Sequence, residues 1–316
     1  MLHSEQADKH SLYRLLLLRI GGGWIIRIAV HTSAFRLYSL RDALKEIRNL
    51  GYEYVELAAN ISETPHFAAH SAGEEGIAGL RKLLEAFNLQ LAAIDIGGWD
   101  APFCLANLEE SQRAVAVQNV RRSIDAASEL GCALVTSHLW GLPENRNPAT
   151  VSSYREAFMA SIAEICPLLG GRDVRLNFMP HPGGFIEESD PVVDLIRETG
   201  CPNIGYTYGI GHTFVISLPG QEATEMIAYA GKTLTHVLVS DTHHLGRIIA
   251  PPEVKAHEHL VPGSGDIDFT AILTTLRDTG YDNFLSVHII SEADRIVEAA
   301  RKTKQKLEWF LGALAC

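Results

Sequence analysis

Residues 234–269 read LTHVLVSDTHHLGRIIAPPEVKAHEHLVPGSGDIDF and contain the three parts of one strand–loop–helix unit. The run Leu234–Ser240 is apolar, contains β-branched residues and lacks turn formers, which predicts a buried strand. The pattern of apolar and polar residues in Phe269–Thr279 predicts an amphipathic helix. The loop between them carries Asp241, Glu258 and four histidines, and a loop of this length in a compact domain is typical of a functional segment. The unit therefore predicts both a type of fold and the place of a site.

The same order of strand, loop and helix recurs along the chain, and four of the helices stop at Gly51, Gly131, Gly200 and Gly280. The eight predicted strands are Ile25–Val30, Tyr54–Leu57, Leu89–Ile94, Ala133–Ser137, Val174–Met179, Ile204–Tyr208, Leu234–Ser240 and Phe284–Val287. Eight near-continuous apolar strands alternating with helices predict an α/β fold, a (β/α)8 TIM barrel in one domain over residues 24–316. An open doubly wound sheet is the alternative, and no Gly-x-Gly-x-x-Gly turn supports its dinucleotide-binding form.

The first 23 residues precede this pattern. Leu15–Ile26 is apolar, but Arg19 and Gly21–Gly23 interrupt it, and no small-residue cleavage site follows. The stretch is too short to span a membrane and lacks the features of a signal peptide. We therefore expect residues 1–23 to form an extension outside the core of the barrel. With no other apolar run of spanning length, we expect a soluble protein in the cytoplasm.

Composition excludes one class of partner. The 316 residues carry a formal net charge of −11, whereas a nucleic-acid-binding surface normally needs clustered lysine and arginine. Five cysteines are scattered without Cys-x-x-Cys spacing. We expect them to be reduced thiols, mostly small core residues, as is typical of the cytoplasm.

The histidines are concentrated on one predicted face of the fold. Of the fourteen, all but His3, His10 and His236 lie in segments that begin at the carboxyl end of a predicted strand. Three carboxylates join them, which are Glu56, Asp95 and Asp241. In TIM barrels the active site is at this end of the strands. A single loop histidine is usually only solvated, so it is the concentration that predicts a pocket here.

Five segments then resemble a known family. They are residues 51–57 (GYEYVEL), 179–183 (MPHPG), 211–212 (GH), 239–241 (VSD) and 262–269 (PGSGDIDF). The chain, over about Ile25 to Leu311, resembles the xylose-isomerase-like TIM barrels, the sugar phosphate isomerase/epimerase family. The resemblance implies a TIM barrel that isomerises or epimerises a sugar-like substrate at the mouth of the barrel.

The resemblance also implies a metal site, from which this chain departs. Epimerase-type members hold one divalent ion with Glu, Asp, His and Glu, and those positions fall here on Met179, Gly209, Leu238 and His288. All four ligands are replaced. Endonuclease-like members use further metal positions, which fall on Asp95, His138, His212, His257 and His259. Three imidazoles suit Zn²⁺ or Fe²⁺ better than Mn²⁺ or Mg²⁺, so we expect either such an ion on His212, His257 and His259 or no ion.

Two functions remain open at this point. The first is a divergent isomerase, epimerase or lyase that transfers a proton on a polyol or hydroxy-ketone, because imidazole is suited to proton transfer near neutral pH. Its predicted catalytic residues are His138, His288, Asp241 and Glu56. Its predicted substrate-binding residues are Trp99, Trp140, His181 and Asp95, where the indoles can stack on a sugar ring. The second is a catalytically inactive barrel that binds a sugar-like ligand or a protein.

The partner that we expect is a small sugar-like molecule, with no nucleic acid and no membrane. A homo-oligomer is left open by the sequence.

Overall fold

Eight parallel strands, each hydrogen-bonded to the next and the last to the first, close into a barrel in the computed structural model of this protein. The structure describes residues 24, 26–59, 66–98, 101–141, 147–217, 221–243 and 257–314. The strands are β1 (Arg27–His31), β2 (Tyr54–Ala58), β3 (Gln90–Asp95), β4 (Leu134–Leu139), β5 (Arg175–Pro180), β6 (Ile204–Gly209), β7 (Leu234–Val239) and β8 (Phe284–Val287). The predicted single-domain TIM barrel is therefore confirmed, and the open sheet is excluded.

Helices follow the strands on the outside of the barrel. They are α1 (Leu40–Asn49), α2 (Glu74–Phe87), α3 (Glu110–Leu130), α4 (Pro148–Leu169), α5 (Ser189–Glu198), α6 (Ile210–Ile216), α7 (Ala223–Ala230), α8 (Phe269–Asp278) and α9 (Ile296–Leu314). Ser39 caps α1 by accepting a hydrogen bond from the amide of Asp42, as expected for serine at this position. Gly131 ends α3 with a φ of 71°, a conformation that glycine adopts without a Cβ penalty.

The main core consists of apolar residues of the strands and of the helices packed outside them, while the strands also bury polar residues such as Glu56, Thr136 and His236. Leu44 and Ile47 of α1, for example, are fully buried in the same cluster as Val55 of β2. A second, smaller cluster of Ala29, Ala92 and Phe284 comes from β1, β3 and β8. Burial of this kind contributes about 25 cal/mol per Å² of apolar surface removed from water.

Two boundaries differ from the prediction in a way that affects the site. Strand β4 continues to Leu139 and β5 to Pro180, because each residue from His138 to Leu139 pairs with a residue from Met179 to Pro180. His138 and Met179 therefore lie within strands and are held by the ladder. The prediction ended both strands earlier because histidine and proline are weak strand formers in sequence.

The cysteine prediction is wrong for one pair. Cys166, near the end of α4, forms a disulfide with Cys201, in the loop before β6. Their Cα atoms lie 5.9 Å apart although the residues are 35 positions apart in the chain, so no local pattern indicates the pairing. Cys104 and Cys132 are free and buried, as expected.

Residues 1–23, predicted to be an extension, lie outside the described residues. No described helix is long and apolar enough to cross a membrane.

Candidate active site

Six imidazoles converge at the carboxyl ends of strands β4 to β8, and we call them the histidine cluster. They are His138, His181, His212, His257, His259 and His288. His212 is central, with its ring centroid 4.1 Å from that of His257, 5.0 Å from that of His259 and 5.2 Å from that of His181. His138 and His288 lie slightly farther from His212, at 6.1 and 6.2 Å. The predicted convergence of histidines at one end of the barrel is therefore present.

Local sequence explains how His212 reaches the centre. It lies in the first turn of α6, which begins directly after β6. Gly211 precedes it, and a Cβ at that position would lie 2.7 Å from Oγ of Ser240. Glycine therefore lets the start of α6 approach the end of β7 closely, which brings His212 over the mouth.

Residues 257–267, which we call the return segment, bring His257 and His259 to the mouth. Asp241 and Leu260 exchange both backbone hydrogen bonds, at 2.9 and 2.7 Å. The side chain of Asp241 accepts further bonds from the amides of Gly263–Gly265 at 2.7, 3.0 and 2.9 Å. Thr242 and Ile267 donate their amides to its other oxygen, at 2.8 and 3.3 Å. Both oxygens of this predicted acid–base residue are thus engaged with the backbone.

Two hydrogen bonds define which ring nitrogen faces the cluster. Nδ1 of His181 lies 2.7 Å from the carbonyl oxygen of Pro182, and Nδ1 of His259 lies 3.3 Å from that of His288. Because a carbonyl only accepts, each Nδ1 carries the hydrogen and each Nε2 keeps its lone pair. Metal-binding histidines commonly have this arrangement, in which a carbonyl fixes the tautomer and orients the ring.

The cluster is built to hold neutral imidazoles. Burial lowers the pKa of all six rings, and the neighbouring histidines lower it further for His181, His212, His257, His259 and His288. The side chains of His138, His212, His259 and His288 are buried, while His181 and His257 are partly exposed on the solvent side. At neutral pH the cluster therefore presents lone pairs rather than positive charges.

Several of these nitrogens have no hydrogen-bond partner within the described part of the chain. Among the described residues, Nδ1 of His212, Nδ1 of His257 and both nitrogens of His288 are buried without a hydrogen bond. Unpaired buried polar atoms are rare and costly, so these nitrogens are available to bind water, an ion or a ligand. Two sets of three nitrogens lie within 4.8 Å of one another: His138 with His181 and His212, and His212 with His259 and His288.

The predicted metal ligands are brought together only in part. His212, His257 and His259 are in mutual ring contact, as predicted. Neither set of donor atoms within 4.8 Å contains His257, however, and the set with both His212 and His259 has His288 as its third member. A tetrahedral Zn²⁺ site needs donor atoms about 3.3 Å apart, given Zn–N bonds near 2.0–2.1 Å, so these residues fit a zinc-like ion after a small closure.

The four positions that the resemblance assigns to metal ligands do not fit a hard cation. A Cβ at Gly209 would lie only 2.5 Å from Sδ of Met179, so the thioether fills the space of the missing aspartate. Leu238 is buried and offers no ligand atom. Mg²⁺ and Mn²⁺ prefer oxygen ligands, and His288 alone cannot supply them.

Glu56, a predicted catalytic residue, lies outside the cluster. It is fully buried, accepts a hydrogen bond from Thr136 at 3.0 Å and pairs with Nε2 of His236 at 2.9 Å. Burial alone would raise its pKa, but the charge and hydrogen bond of His236 outweigh it and lower the pKa to about 2. Glu56 is therefore locked as a carboxylate within the strands.

The predicted substrate-binding residues divide into three cases. Trp140 and His181 lie at the mouth with ring centroids 5.4 Å apart. Asp95 is engaged elsewhere, since it accepts a bond from the amide of Gly97 at 3.0 Å and lies 3.3 Å from Nε2 of His31. Trp99 lies outside the described residues.

Sequence reasoning assigned no role to His31. Its ring centroid lies 4.5 Å from that of His288, and its Nδ1 accepts a bond from the amide of Ser33 at 3.2 Å. Nε2 therefore carries the hydrogen and donates to Asp95. The position of His31 at the end of β1 could have indicated that it lies near the histidine cluster, because the cluster residues also follow strand ends.

Comparison with known proteins agrees with this geometry. The family model described as "Xylose isomerase-like TIM barrel" matches residues 44–312. This chain belongs to that family. An uncharacterised protein of Methanocaldococcus jannaschii, MJ1311, is 22% identical over 296 residues, which cover 91% of each chain. The rhizopine catabolism protein MocC of Rhizobium meliloti is 23% identical over 78% of this chain and 74% of its own.

Several solved structures share the fold. A D-tagatose 3-epimerase-like protein superposes with a TM-score of 0.73 at 20% identity, covering 91% of this chain and 98% of its own. The IolI protein, solved with a bound zinc atom, has a TM-score of 0.73 at 15% identity and covers 91% and 99%. These identities show the common barrel, while the histidine cluster is a feature of this chain's own residues.

Proposed function

We propose that this member of the xylose-isomerase-like family is an isomerase- or epimerase-like enzyme that transfers a proton on a polyol or hydroxy-ketone. The observation that carries the proposal is the convergence of six largely buried imidazoles with lowered pKa values at the mouth. A binding site for an uncharged sugar needs few titratable groups, whereas proton transfer needs several. Such transfer contributes about 10²–10⁴-fold to a rate.

His138 and His288 are the best suited of the predicted catalytic residues. Both are buried in the cluster, and neither nitrogen of His288 has a described partner. Their lowered pKa values favour the neutral base at pH 7. Glu56 and Asp241 are less suited, because hydrogen bonds already occupy their carboxylates.

A Zn²⁺ or Fe²⁺ ion on the histidine cluster is part of the proposal. The predicted ligands are His212, His257 and His259, and the donor distances add His288 as an alternative to His257. If His288 binds the ion, it cannot also be the base, and His138 then takes that role. Such an ion polarises a carbonyl or hydroxyl oxygen of a bound substrate. Neutral imidazoles bind it without first losing a proton, which is what the lowered pKa values provide.

The substrate that we propose is a small sugar-like molecule. The similarity to MocC, a rhizopine catabolism protein, and to sugar epimerases supports this class. Trp140 and His181, in ring contact at the mouth, are placed to contact it. Trp99 and Asp95 stay predictions, as do the cytoplasmic location, the lack of nucleic-acid and membrane partners, and the open question of a homo-oligomer.

A catalytically inactive barrel that binds a sugar-like ligand or a protein is the second candidate. One observation favours it: Met179 fills the space of the missing aspartate, so the carboxylate metal position of the family is closed. The two candidates differ in whether a carbon-bound proton of the ligand is exchanged.

Proton exchange is the decisive test of the reaction. Chelator-treated and Zn²⁺-loaded protein is incubated in D₂O with a panel of ketoses and inososes, and NMR detects deuterium at the carbon next to the carbonyl. We expect exchange that falls about 10²–10⁴-fold in His138→Gln. His243→Gln, whose side chain is 48% exposed outside the cluster, is the matched control. Calorimetric binding of a panel member without any exchange would favour the inactive barrel.

The ion is tested by calorimetric titration of chelator-treated protein. We expect tight binding of Zn²⁺ and none of Mn²⁺, with Zn²⁺ binding lost in His212→Ala and His259→Ala. His257→Gln and His288→Gln then show which imidazole completes the set. Tight Mn²⁺ binding that survives both alanine substitutions would contradict the proposed ligands.

A further inference from the structure

The ring of His259 depends on a backbone conformation that the residue does not favour. Its φ is 53°, in the left-handed region, which is strained for a residue other than glycine. Such a residue keeps this conformation only when its surroundings hold it there. The contacts that hold the return segment therefore decide where the imidazole of His259 lies.

Those contacts lead to Asp241. Its backbone pairs with Leu260, the residue after His259, through two hydrogen bonds at 2.9 and 2.7 Å. Its carboxylate accepts hydrogen bonds from the amides of Gly263–Gly265, which begin three residues after Leu260. Thr242, the neighbour of Asp241, accepts the amide of Glu258 at 3.2 Å, on the other side of His259. The segment carrying the imidazole is thus fixed on both flanks by Asp241 and its neighbour.

The carboxylate is fully committed to this role. It is 0% exposed and accepts five amide hydrogens, from Thr242, Gly263–Gly265 and Ile267. Charge-assisted bonds of this kind are about twice as strong as neutral ones, and clustered backbone amides form a natural anion site. Gly265 fits closely around it, since a Cβ there would lie 2.5 Å from Oδ1 of Asp241 and press on the carbonyl of Thr242.

We propose that Asp241 is a positioning residue, which holds the return segment so that His257 and His259 face His212 and can bind an ion or substrate. It acts through the backbone and touches neither. The proposal rests on the proposed use of the histidine cluster, but its test includes a measurement that needs no ion.

Two variants break the same contact from opposite sides. Asp241→Asn removes the negative charge, and Gly265→Ala leaves Asp241 intact but displaces the amides around it. Gly265 does not have a positive φ, so the added methyl acts through contact alone. We expect both variants to weaken Zn²⁺ binding about 10–100-fold, as loss of supporting contacts does at metal sites. Asp266→Asn, in the same segment and exposed at the carboxylate, is the matched control and should change the affinity less than about 2-fold.

Hydrogen exchange supplies the readout that is independent of ions. In the ion-free protein, Asp241→Asn and Gly265→Ala should speed exchange at the amides of residues 260–267, while the amides of the strands stay protected. Absorption of the Co²⁺-loaded protein should keep its band positions in both variants, since Asp241 is not a ligand.

The results separate the two proposals. If the wild-type protein binds no ion, the proposed ion site is wrong. Hydrogen exchange then tests the positioning role of Asp241 by itself. Unchanged exchange and unchanged Zn²⁺ affinity in Asp241→Asn would overturn the positioning role. Loss of affinity in Asp241→Asn with full retention in Gly265→Ala would also overturn it, because Asp241 would then act directly on the ion.

Discussion

Two regions of this barrel contain buried polar side chains, and they are satisfied to different degrees. Within the strands, the carboxylate of Glu56 is bonded to Thr136 and His236, with only Nδ1 of His236 left without a partner in this trio. At the carboxyl ends of the strands, His212, His257 and His288 keep unpaired nitrogens. A polar network whose groups are all hydrogen-bonded stabilises a fold. Buried polar groups without hydrogen bonds lower the free energy of unfolding, so they are typical of sites that bind a ligand or catalyse a reaction. The difference distinguishes a structural network from a functional cluster.

The largest expected effect comes from breaking the network within the strands. His236→Leu leaves the carboxylate of Glu56 buried without its main partner, which should lower the free energy of unfolding by about 3–5 kcal/mol. Urea denaturation followed by circular dichroism measures this. The double variant with Glu56→Leu should recover much of the loss, since an apolar pair needs no partner. If the free energy of unfolding of His236→Leu fell by less than about 1 kcal/mol, the network around Glu56 would not be a structural one.

The corresponding histidine-to-leucine substitution in the histidine cluster should not lower the free energy of unfolding. His288→Leu removes a buried imidazole that has no hydrogen bond, so the free energy of unfolding should stay constant or rise by about 1 kcal/mol. Zn²⁺ binding or proton exchange should fall in the same protein. Denaturation of ion-free protein is the measurement, and a loss of more than about 2 kcal/mol would show that His288 is structural.

The dependence of stability on pH sharpens the comparison. Burial lowers the pKa of His181 to about 3, and the other cluster histidines shift in the same direction. An unfolded histidine has a pKa near 6.5, so between these values the unfolded chain binds more protons. Stability is therefore full above pH 6.5 and is lost as pH falls toward 3. Glu56, lowered from 4.5 to about 2, adds a loss only below pH 4.5.

Urea titrations of ion-free protein from pH 8 to 5 test this, because only the histidines act in that range. Each shifted histidine contributes a slope of about 1.4 kcal/mol per pH unit below its unfolded pKa. His288→Leu and His181→Gln should reduce the slope, and His243→Gln should leave it unchanged. Stability that is flat between pH 6.5 and 5 would show that the cluster is not held neutral.

The smallest effect is expected at the start of the chain. Residues 1–23 lack the strand–helix pattern, so a protein beginning at Trp24 should fold with a melting temperature within a few degrees of the full chain. Differential scanning calorimetry measures the shift. A larger decrease would show that the extension is part of the structure.

The sequence predicted the features that depend on local pattern. Apolar runs and the glycines after helices gave the eight strands, and the rule that parallel strands end at one face gave the convergence of histidines. The roles of the carboxylates could not be read in this way. Glu56 and its partner His236 are 180 positions apart, and the amides that surround Asp241 become neighbours only when the return segment folds back. Both carboxylates therefore resembled catalytic groups in the sequence.

Met179 restricts which substitutions could introduce carboxylate ligands into this chain. Gly209→Asp alone would bring the new side chain against Sδ of Met179, and Met179→Glu alone would place a carboxylate at a position that is only 2% exposed. We therefore expect each of these single substitutions to lower the free energy of unfolding of the ion-free protein. Carboxylate ligands could therefore be introduced at positions 179 and 209 only by changing Met179 and Gly209 together.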